Sequence, residues 1–131
     1  MRLLKPFQRL LLGLILFIIG DYSYSLGRWN TGETLILHCN ATLKLQDINN
    51  PTPEDHARSV GCLSYLEGVK QLLYKQESFT QERNICFPET GISNGQAARI
   101  VVNFSNEHPI KLQEHKLDLV LEAFAHAFPC K

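Results

Sequence analysis

The placing of four cysteines constrains the fold of this 131-residue chain more than any other feature of its sequence. They are Cys39, Cys62, Cys86 and Cys130, and no two of them are closely spaced. Zinc sites usually draw ligands from close pairs such as C-x2-C, so the spacing argues against a zinc site. An even number of cysteines in a small exported chain instead predicts two disulfides. The interpretation therefore depends on whether the chain is exported.

The N-terminal segment has the composition of a signal peptide. Basic residues precede an uncharged apolar run at 10–20. A membrane-spanning helix needs about 18 apolar residues or more, so this run is too short to span a membrane. Small residues at Ser23 and Ser25 predict cleavage after Ser25, with cleavage after Gly20 as the next choice. We predict a signal peptide at 1–25, with an uncleaved membrane anchor as the alternative.

The remaining chain, 26–131, has the length of a single domain with one hydrophobic core. The full sequence is 44% hydrophobic and 20% charged, a composition that favours a folded chain over a disordered one. Its 13 basic residues balance 13 acidic residues. This neutral charge argues against a nucleic-acid partner, because binding to phosphates needs a basic surface. Contact with a membrane is expected only through the signal peptide before its cleavage.

Three pairings of the four cysteines are possible, and we favour Cys39–Cys62 with Cys86–Cys130. The first bond would join two consecutive antiparallel helices, and the second would tie the C-terminus to a mid-chain segment. Each would close a loop of about 24 to 45 residues, which the chain-entropy model values at about 3–4 kcal/mol. The pairing of Cys39 with Cys130 and of Cys62 with Cys86 remains an alternative.

The first half of the mature chain has the pattern of two helices. Thr31 is the expected N-cap of the first helix, and the sequence Asn-Asn-Pro at 49–51 ends it. Thr52, followed by Pro53, begins the second helix. This helix is predicted to present an apolar stripe formed by Val60, Leu63, Leu66, Val69 and Leu73. Gly61, Ser64 and Gly68 form a second stripe of small residues, which predicts the close approach of another helix.

The second half adds two more helices and a polar connection. Residues 76–84 have no apolar period and are predicted to form a loop. Ser93 and Gln96 have the spacing of a capping box at the start of a third helix, which His108 and Pro109 end. The last helix is expected at about 113–128. We therefore predict an all-α fold, a small bundle of about four helices stapled by two disulfides.

Several short motifs occur in an order that is typical of one known family. They are CLSYLEGV at 62–69, ICFPE at 85–89 followed by SNGQ at 93–96, NEHP at 106–109 and AFAHAFPC at 123–130. In this order the motifs resemble the Rap/Tai family of immunity proteins for type VI secretion amidases. The resemblance covers about residues 30–131. One departure is the sequence Glu-Thr-Gly at 89–91, where the family more often has Gly directly after Glu.

The resemblance implies a periplasmic, mainly helical and disulfide-bonded protein that binds and blocks a peptidoglycan-cleaving amidase. It also implies a homodimer, to which the small-residue stripe of the second helix could contribute. We place the predicted partner-binding stretch on the polar segment after that helix. This stretch comprises Gln76, Glu77, Ser78, Phe79, Thr80, Gln81, Glu82 and Arg83. Phe79 is its expected apolar anchor, and the turn at 89–95 is the second candidate.

The sequence predicts no catalytic residue, no cofactor and no metal site. The strongest alternative is a small secreted helical enzyme or a ligand- or metal-binding protein that uses one face of the last helix. That face carries His115, Asp118, Glu122 and His126. Histidines and carboxylates in this spacing could bind a metal, although an ordinary solvated face has the same pattern. His38 next to Cys39 is a weaker candidate, because a disulfide would remove the thiolate that catalysis needs.

Overall fold

The structure, a computed structural model, describes residues 30–47 and 50–131. The predicted signal peptide at 1–25 and its cleavage point after Ser25 lie outside the described residues. Residues 31–131 form one compact unit. None of the described helices is long and apolar enough to cross a membrane.

The described chain is all-α, as predicted, and contains five α-helices and one 3-10 helix. In chain order these are α1 Gly32–Asp47, α2 Pro53–Lys75, α3 Glu77–Glu82, α4 Asn94–Glu107, the 3-10 helix Pro109–Gln113 and α5 Lys116–Ala127. Four of the α-helices have 12 residues or more, and α3 has six. The predicted bundle of about four helices is thus present, with a short fifth helix beside it.

Two helices begin at capping boxes. At the start of α2, Thr52 Oγ1 accepts a hydrogen bond from the Asp55 amide at 3.1 Å, and the Asp55 carboxylate accepts one from the Thr52 amide at 3.1 Å. At the start of α4, Ser93 Oγ accepts from the Gln96 amide at 3.1 Å, and Gln96 Oε1 accepts from the Ser93 amide at 2.8 Å. Each box satisfies two backbone N–H groups that the helix itself leaves unpaired.

The last helix begins later than the sequence predicts. Residues 109–113 form the 3-10 helix, and α5 starts only at Lys116. His115 is the N-cap of α5, and its Nδ1 accepts a hydrogen bond from the Leu117 amide at 3.2 Å. Pro109 fits the first position of the 3-10 helix, because the amide that proline lacks would have no partner there.

The core forms around α1, which packs against α2, α4, α5 and the 3-10 helix. Leu66, Val101, Val120 and Phe124 are completely buried in it. Burial of each such apolar side chain stabilises the fold by about 1.5–3 kcal/mol. The core therefore draws on α2, α4 and α5 together.

The two disulfides pair the cysteines as favoured. Cys39 in α1 bonds to Cys62 in α2, and Cys86 bonds to Cys130 near the C-terminus. The alternative pairing of Cys39 with Cys130 is therefore wrong. Cys39 and Cys62 are completely buried, so the first bond is part of the core.

The predicted apolar stripe of α2 is correct in its second half only. Leu66, Val69 and Leu73 are buried, whereas Val60 is 63% exposed and Leu63 is half-buried. The helical period explains the difference, because the position four residues before Leu66 is Cys62, which takes the core-facing place instead.

The small-residue stripe of α2 serves internal packing at one of its positions. A Cβ on Gly61 would lie 2.8 Å from Nδ1 of His38 in α1, so glycine permits the close contact of the two helices. A Cβ on Gly68 would meet no atom within 4 Å. Only Gly61 therefore has the close neighbour that the sequence predicts.

Candidate partner-binding surface

The connection between α2 and α4 carries both stretches that the sequence predicts to bind a partner, 76–83 and 89–95. Its middle is fixed to the C-terminus by the disulfide between Cys86 and Cys130. The Cys86 amide also donates a hydrogen bond to the Phe128 carbonyl at 2.8 Å. Both candidate stretches therefore lie next to a covalently anchored point.

The prediction that 76–84 forms a loop is wrong, since Glu77–Glu82 is helix α3. Thr80 is buried, and its Oγ1 donates a hydrogen bond to the Glu77 carbonyl at 2.8 Å. The Ile85 amide donates to the Thr80 carbonyl at 2.8 Å and so ties the end of α3 to the following segment. Six residues are fewer than two helical turns, which is too short for an apolar period to be visible in the sequence.

Phe79 does not extend from the surface as the expected exposed anchor. Its ring is half-buried and packs against the core, and the Arg83 guanidinium carbon lies 5.3 Å from the ring centroid. The outward face of the predicted stretch is instead polar. Its exposed side chains are Gln76, Glu77, Ser78, Gln81, Glu82 and Arg83. The role of this stretch in partner binding stays a prediction.

The second stretch begins with a tight turn, Pro88–Gly91. The Gly91 amide donates a hydrogen bond to the Pro88 carbonyl at 2.8 Å, and Gly91 has a φ of +70°. Glycine adopts this left-handed conformation without steric cost. Glu89 and Thr90 are exposed in the turn.

Helix α2 binds the chain directly after this turn. The Ile92 amide donates a hydrogen bond to Tyr74 Oη at 3.2 Å. Lys70 Nζ donates to the Ile92 carbonyl at 2.9 Å. Both backbone polar groups of Ile92 are thus bound by two side chains that lie one helical turn apart on α2.

Glu67 contacts the Lys70 ammonium from the surface side. A Glu67 carboxylate oxygen lies 3.1 Å from Lys70 Nζ, and the other accepts a hydrogen bond from Gln71 Nε2 at 2.8 Å. The hydrogen bond from Gln71, followed by that from Lys70, lowers the pKa of Glu67. The Lys70 ammonium therefore faces an ionised carboxylate at neutral pH.

Aromatic side chains support the segment before the turn. The Phe87 ring centroid lies 5.0 Å from that of Tyr74, 5.4 Å from that of Phe124 and 5.5 Å from that of Phe128. Aromatic rings at such separations attract one another beyond the effect of burial alone. The turn is therefore supported by packing on one side and by hydrogen bonds on the other.

Two shallow grooves flank the turn. The groove on the α4 side has a volume of about 400 Å³ and is lined by residues that include Thr90, Ile92, Arg99, Ile100, Asn103 and Phe128. The groove on the α3 side has a volume of about 380 Å³, with a lining that includes Tyr74, Glu77, Gln81, Cys86, Pro88 and Glu89. A ridge between two grooves can bind a complementary protein surface by shape.

The four residues of the alternative metal-binding hypothesis are not brought together. His115 and His126 are eleven positions apart, which corresponds to about 16 Å along a helix axis. One ion cannot bind both side chains over that distance, because zinc-to-nitrogen bonds are about 2 Å long. Among the described residues, no group of three or more His, Cys, Asp and Glu side chains could bind a metal ion.

Each of these side chains has a local environment of its own. Glu122 forms an ion pair with Lys111 at 3.0 Å. The His126 ring centroid lies 5.6 Å from that of Phe104. His115 caps α5, and Asp118 is exposed in its first turn. Such contacts are usual for polar side chains on the surface of a helix, and they account for these four residues without a metal ion.

The Cys–His candidate contains no thiolate. Cys39 forms the disulfide with Cys62, so its sulfur is not available as a nucleophile. Burial, followed by the nearby positive charges of Arg58 and Lys116, lowers the pKa of His38. The His38 side chain thus favours its neutral form.

The sequence did not predict that Lys70 and Tyr74 bind the backbone of Ile92. A signal for Lys70 was present, because it lies four positions after Leu66 and three before Leu73, on the core-facing side of α2. A lysine at such a position needs a buried partner. That the partner is the backbone of Ile92 was not visible from the sequence.

Comparison with known families gives one match. A family model described as Rap1a immunity proteins matches residues 31–130. The matched range contains all five α-helices and both disulfides. No curated protein and no solved structure matches the chain.

Proposed function

The chain belongs to the Rap1a immunity protein family, and we propose that it inhibits a peptidoglycan amidase delivered by a type VI secretion system. The family match across residues 31–130 carries this proposal, because it spans the whole helical domain. An immunity protein binds a secreted effector and needs no catalytic residue of its own. The amidase and the type VI system come from the resemblance of the sequence motifs.

The proposed place of action is the periplasm. Two disulfides support this, since such bonds persist in oxidising compartments and are rare in the cytosol. The predicted signal peptide at 1–25, cleaved after Ser25, would provide the export. N-terminal sequencing of the protein from a periplasmic extract tests the cleavage point, and an uncleaved Met1 would contradict it.

The proposed inhibitory surface is the outward face of α3 together with the Pro88–Gly91 turn. Both are exposed, and both lie beside the anchored Cys86. Binding to a surface that is already ordered loses less conformational entropy than binding to a mobile loop. Such a surface could block the substrate cleft of an amidase by occupying it.

A homodimer is part of the proposal. On α2 the exposed residues Ser64, Gly68 and Leu72 share one face, and Leu72 is 50% exposed. Small residues beside an apolar one allow two helices to approach closely. Light scattering coupled to gel filtration tests this, and a monomer mass at micromolar concentration would contradict it.

The test of function uses the mature protein and an amidase sought among the genes that neighbour its own, here called the co-encoded amidase. Hydrolysis of purified peptidoglycan is followed by chromatography of the released fragments. We expect hydrolysis to fall to background at about one inhibitor molecule per enzyme molecule. Undiminished hydrolysis at a tenfold excess of the mature protein would contradict the proposal.

A matched pair of variants tests the proposed surface. Gln81→Arg adds a long charged side chain to the exposed face of α3, and Asn106→Arg makes the same change in charge on the exposed surface of α4. We expect Gln81→Arg to weaken inhibition at least tenfold, because an unmatched charge at an interface is costly to bury. Asn106→Arg is expected to inhibit like the unaltered protein. Equal inhibition by both variants would place the contact elsewhere.

A further inference from the structure

Lys70 is a buried basic residue that joins a carboxylate of its own helix to the backbone of a distant segment. The residue is 5% exposed, and its ammonium group contacts the Ile92 carbonyl at 2.9 Å and the Glu67 carboxylate at 3.1 Å. Replacing a buried charged side chain by an apolar one of similar volume often costs little stability. Stability alone therefore does not explain a lysine at this core-facing position.

Tyr74 completes the contact one turn further along α2. Its phenol oxygen accepts the hydrogen bond of the Ile92 amide at 3.2 Å, and its ring packs against Phe87 at 5.0 Å between centroids. With Lys70 on the carbonyl and Tyr74 on the amide, neither backbone group of Ile92 can turn away without losing a hydrogen bond. The peptide units on both sides of Ile92 are held in one orientation.

This contact fixes the far end of the Pro88–Gly91 turn. Gly91, which precedes Ile92, has the positive φ that the turn requires, and a Cβ there would lie 3.2 Å from Tyr74 Oη. The near end is fixed independently by the disulfide at Cys86. The exposed residues Glu89 and Thr90 therefore lie between two anchored points.

We propose that Lys70 and Tyr74 are positioning residues that hold the Pro88–Gly91 turn in the conformation in which it binds the effector. The inference rests on the proposed function, because it assumes that this turn contacts the amidase. Neither side chain needs to touch the partner. They keep the turn in its binding conformation before it meets the partner. The apparent affinity is proportional to the fraction of molecules in that conformation, so a larger fraction raises it.

The test compares two variants with a matched control. Tyr74→Phe removes only the phenol oxygen and keeps the ring on Phe87. Lys70→Met keeps the length of the side chain and removes the ammonium group. Lys75→Met makes the same change at an exposed position of the same helix. If Lys70→Met fails to fold, Tyr74→Phe tests the inference alone.

Two measurements are made on each variant. Amide hydrogen exchange at Gly91 and Ile92 reports the conformation of the turn. The Kd for the co-encoded amidase reports whether that conformation matters for binding. We expect Tyr74→Phe and Lys70→Met to raise the exchange rate at these amides about tenfold and to weaken binding about tenfold. The melting temperature of Tyr74→Phe and all properties of Lys75→Met should be nearly unchanged.

The outcomes separate this inference from the proposed function. Unchanged exchange at Gly91 and Ile92 in Tyr74→Phe would overturn the positioning contact. Faster exchange with an unchanged Kd would overturn the assignment of the turn to partner binding, while inhibition by the unaltered protein would still support the function. If the unaltered protein fails to bind the amidase, the proposed function fails, and the inference that rests on it is overturned as well.

Discussion

A single carboxylate at the start of α2 joins the N-cap of that helix to α1. Asp55 accepts hydrogen bonds from the amide and the hydroxyl of Thr52, at 3.1 and 2.8 Å, and lies 3.5 Å from Lys44 Nζ in α1. The hydrogen bonds from Thr52, with the hydroxyl first, lower the pKa of Asp55, and the charge of Lys44 adds to them. The helix start and the α1–α2 packing thus share one ionised group.

This carboxylate predicts a loss of stability in acid. Because the pKa of Asp55 is lower in the folded chain, its stabilising effect is complete above the unfolded pKa of about 4. The effect is lost as the pH falls through the lowered folded value. We expect Asp55→Asn to be less stable than the unaltered protein at pH 7, by a margin that is smaller at pH 2. Urea unfolding at both pH values measures this, and a difference that stays constant with pH would contradict it.

At the scale of elements, the features that the sequence predicts correctly are local ones. Thr52 and Ser93 mark helix starts because a cap and its partner lie three residues apart. Helix α3 is missed because its six residues show no period, and its stability comes from contacts with the core rather than from propensity. The hydrogen bond from Lys70 to Ile92 joins residues 22 positions apart, a distance that no local pattern reports.

The packing of α3 changes what Phe79 is expected to do. Because its ring is half-buried against the core, Phe79→Ala should lower the free energy of unfolding by about 1–2 kcal/mol, less than for a fully buried phenylalanine. Ser78→Ala, at an exposed position of the same helix, is the control and should change it little. Denaturant unfolding measures both. Phe79→Ala with unaltered stability and lost inhibition would show instead that the ring is a direct anchor for the partner.

For the whole molecule, the two disulfides act on different parts of the fold. Cys39–Cys62 joins α1 to α2 inside the core, over a sequence separation of 23. Cys86–Cys130 spans 44 residues and ties the chain after α5 to the segment before the Pro88–Gly91 turn. The second bond therefore connects the C-terminus to the proposed inhibitory surface.

Loss of the second disulfide should destabilise the domain without unfolding its first helix pair. We expect Cys130→Ser to lower the free energy of unfolding by about 2–5 kcal/mol, the usual effect of removing a native disulfide from a small exported domain. Hydrogen exchange should increase more in α5 than in α1. Thiol titration of the unfolded variant should find one free thiol, from Cys86. An unchanged melting temperature would indicate that Cys130 is not paired in the protein.

Growth of cells that make the co-encoded amidase in their periplasm tests the central claim, immunity, most directly. The full chain is co-expressed with that amidase, and a version that lacks residues 1–25 is the matched control for export. The account predicts that the full chain restores growth and that the shortened version does not, because the inhibitor must reach the same compartment as the enzyme. Lysis that continues at full rate, with the mature protein present in the periplasm, would contradict the account.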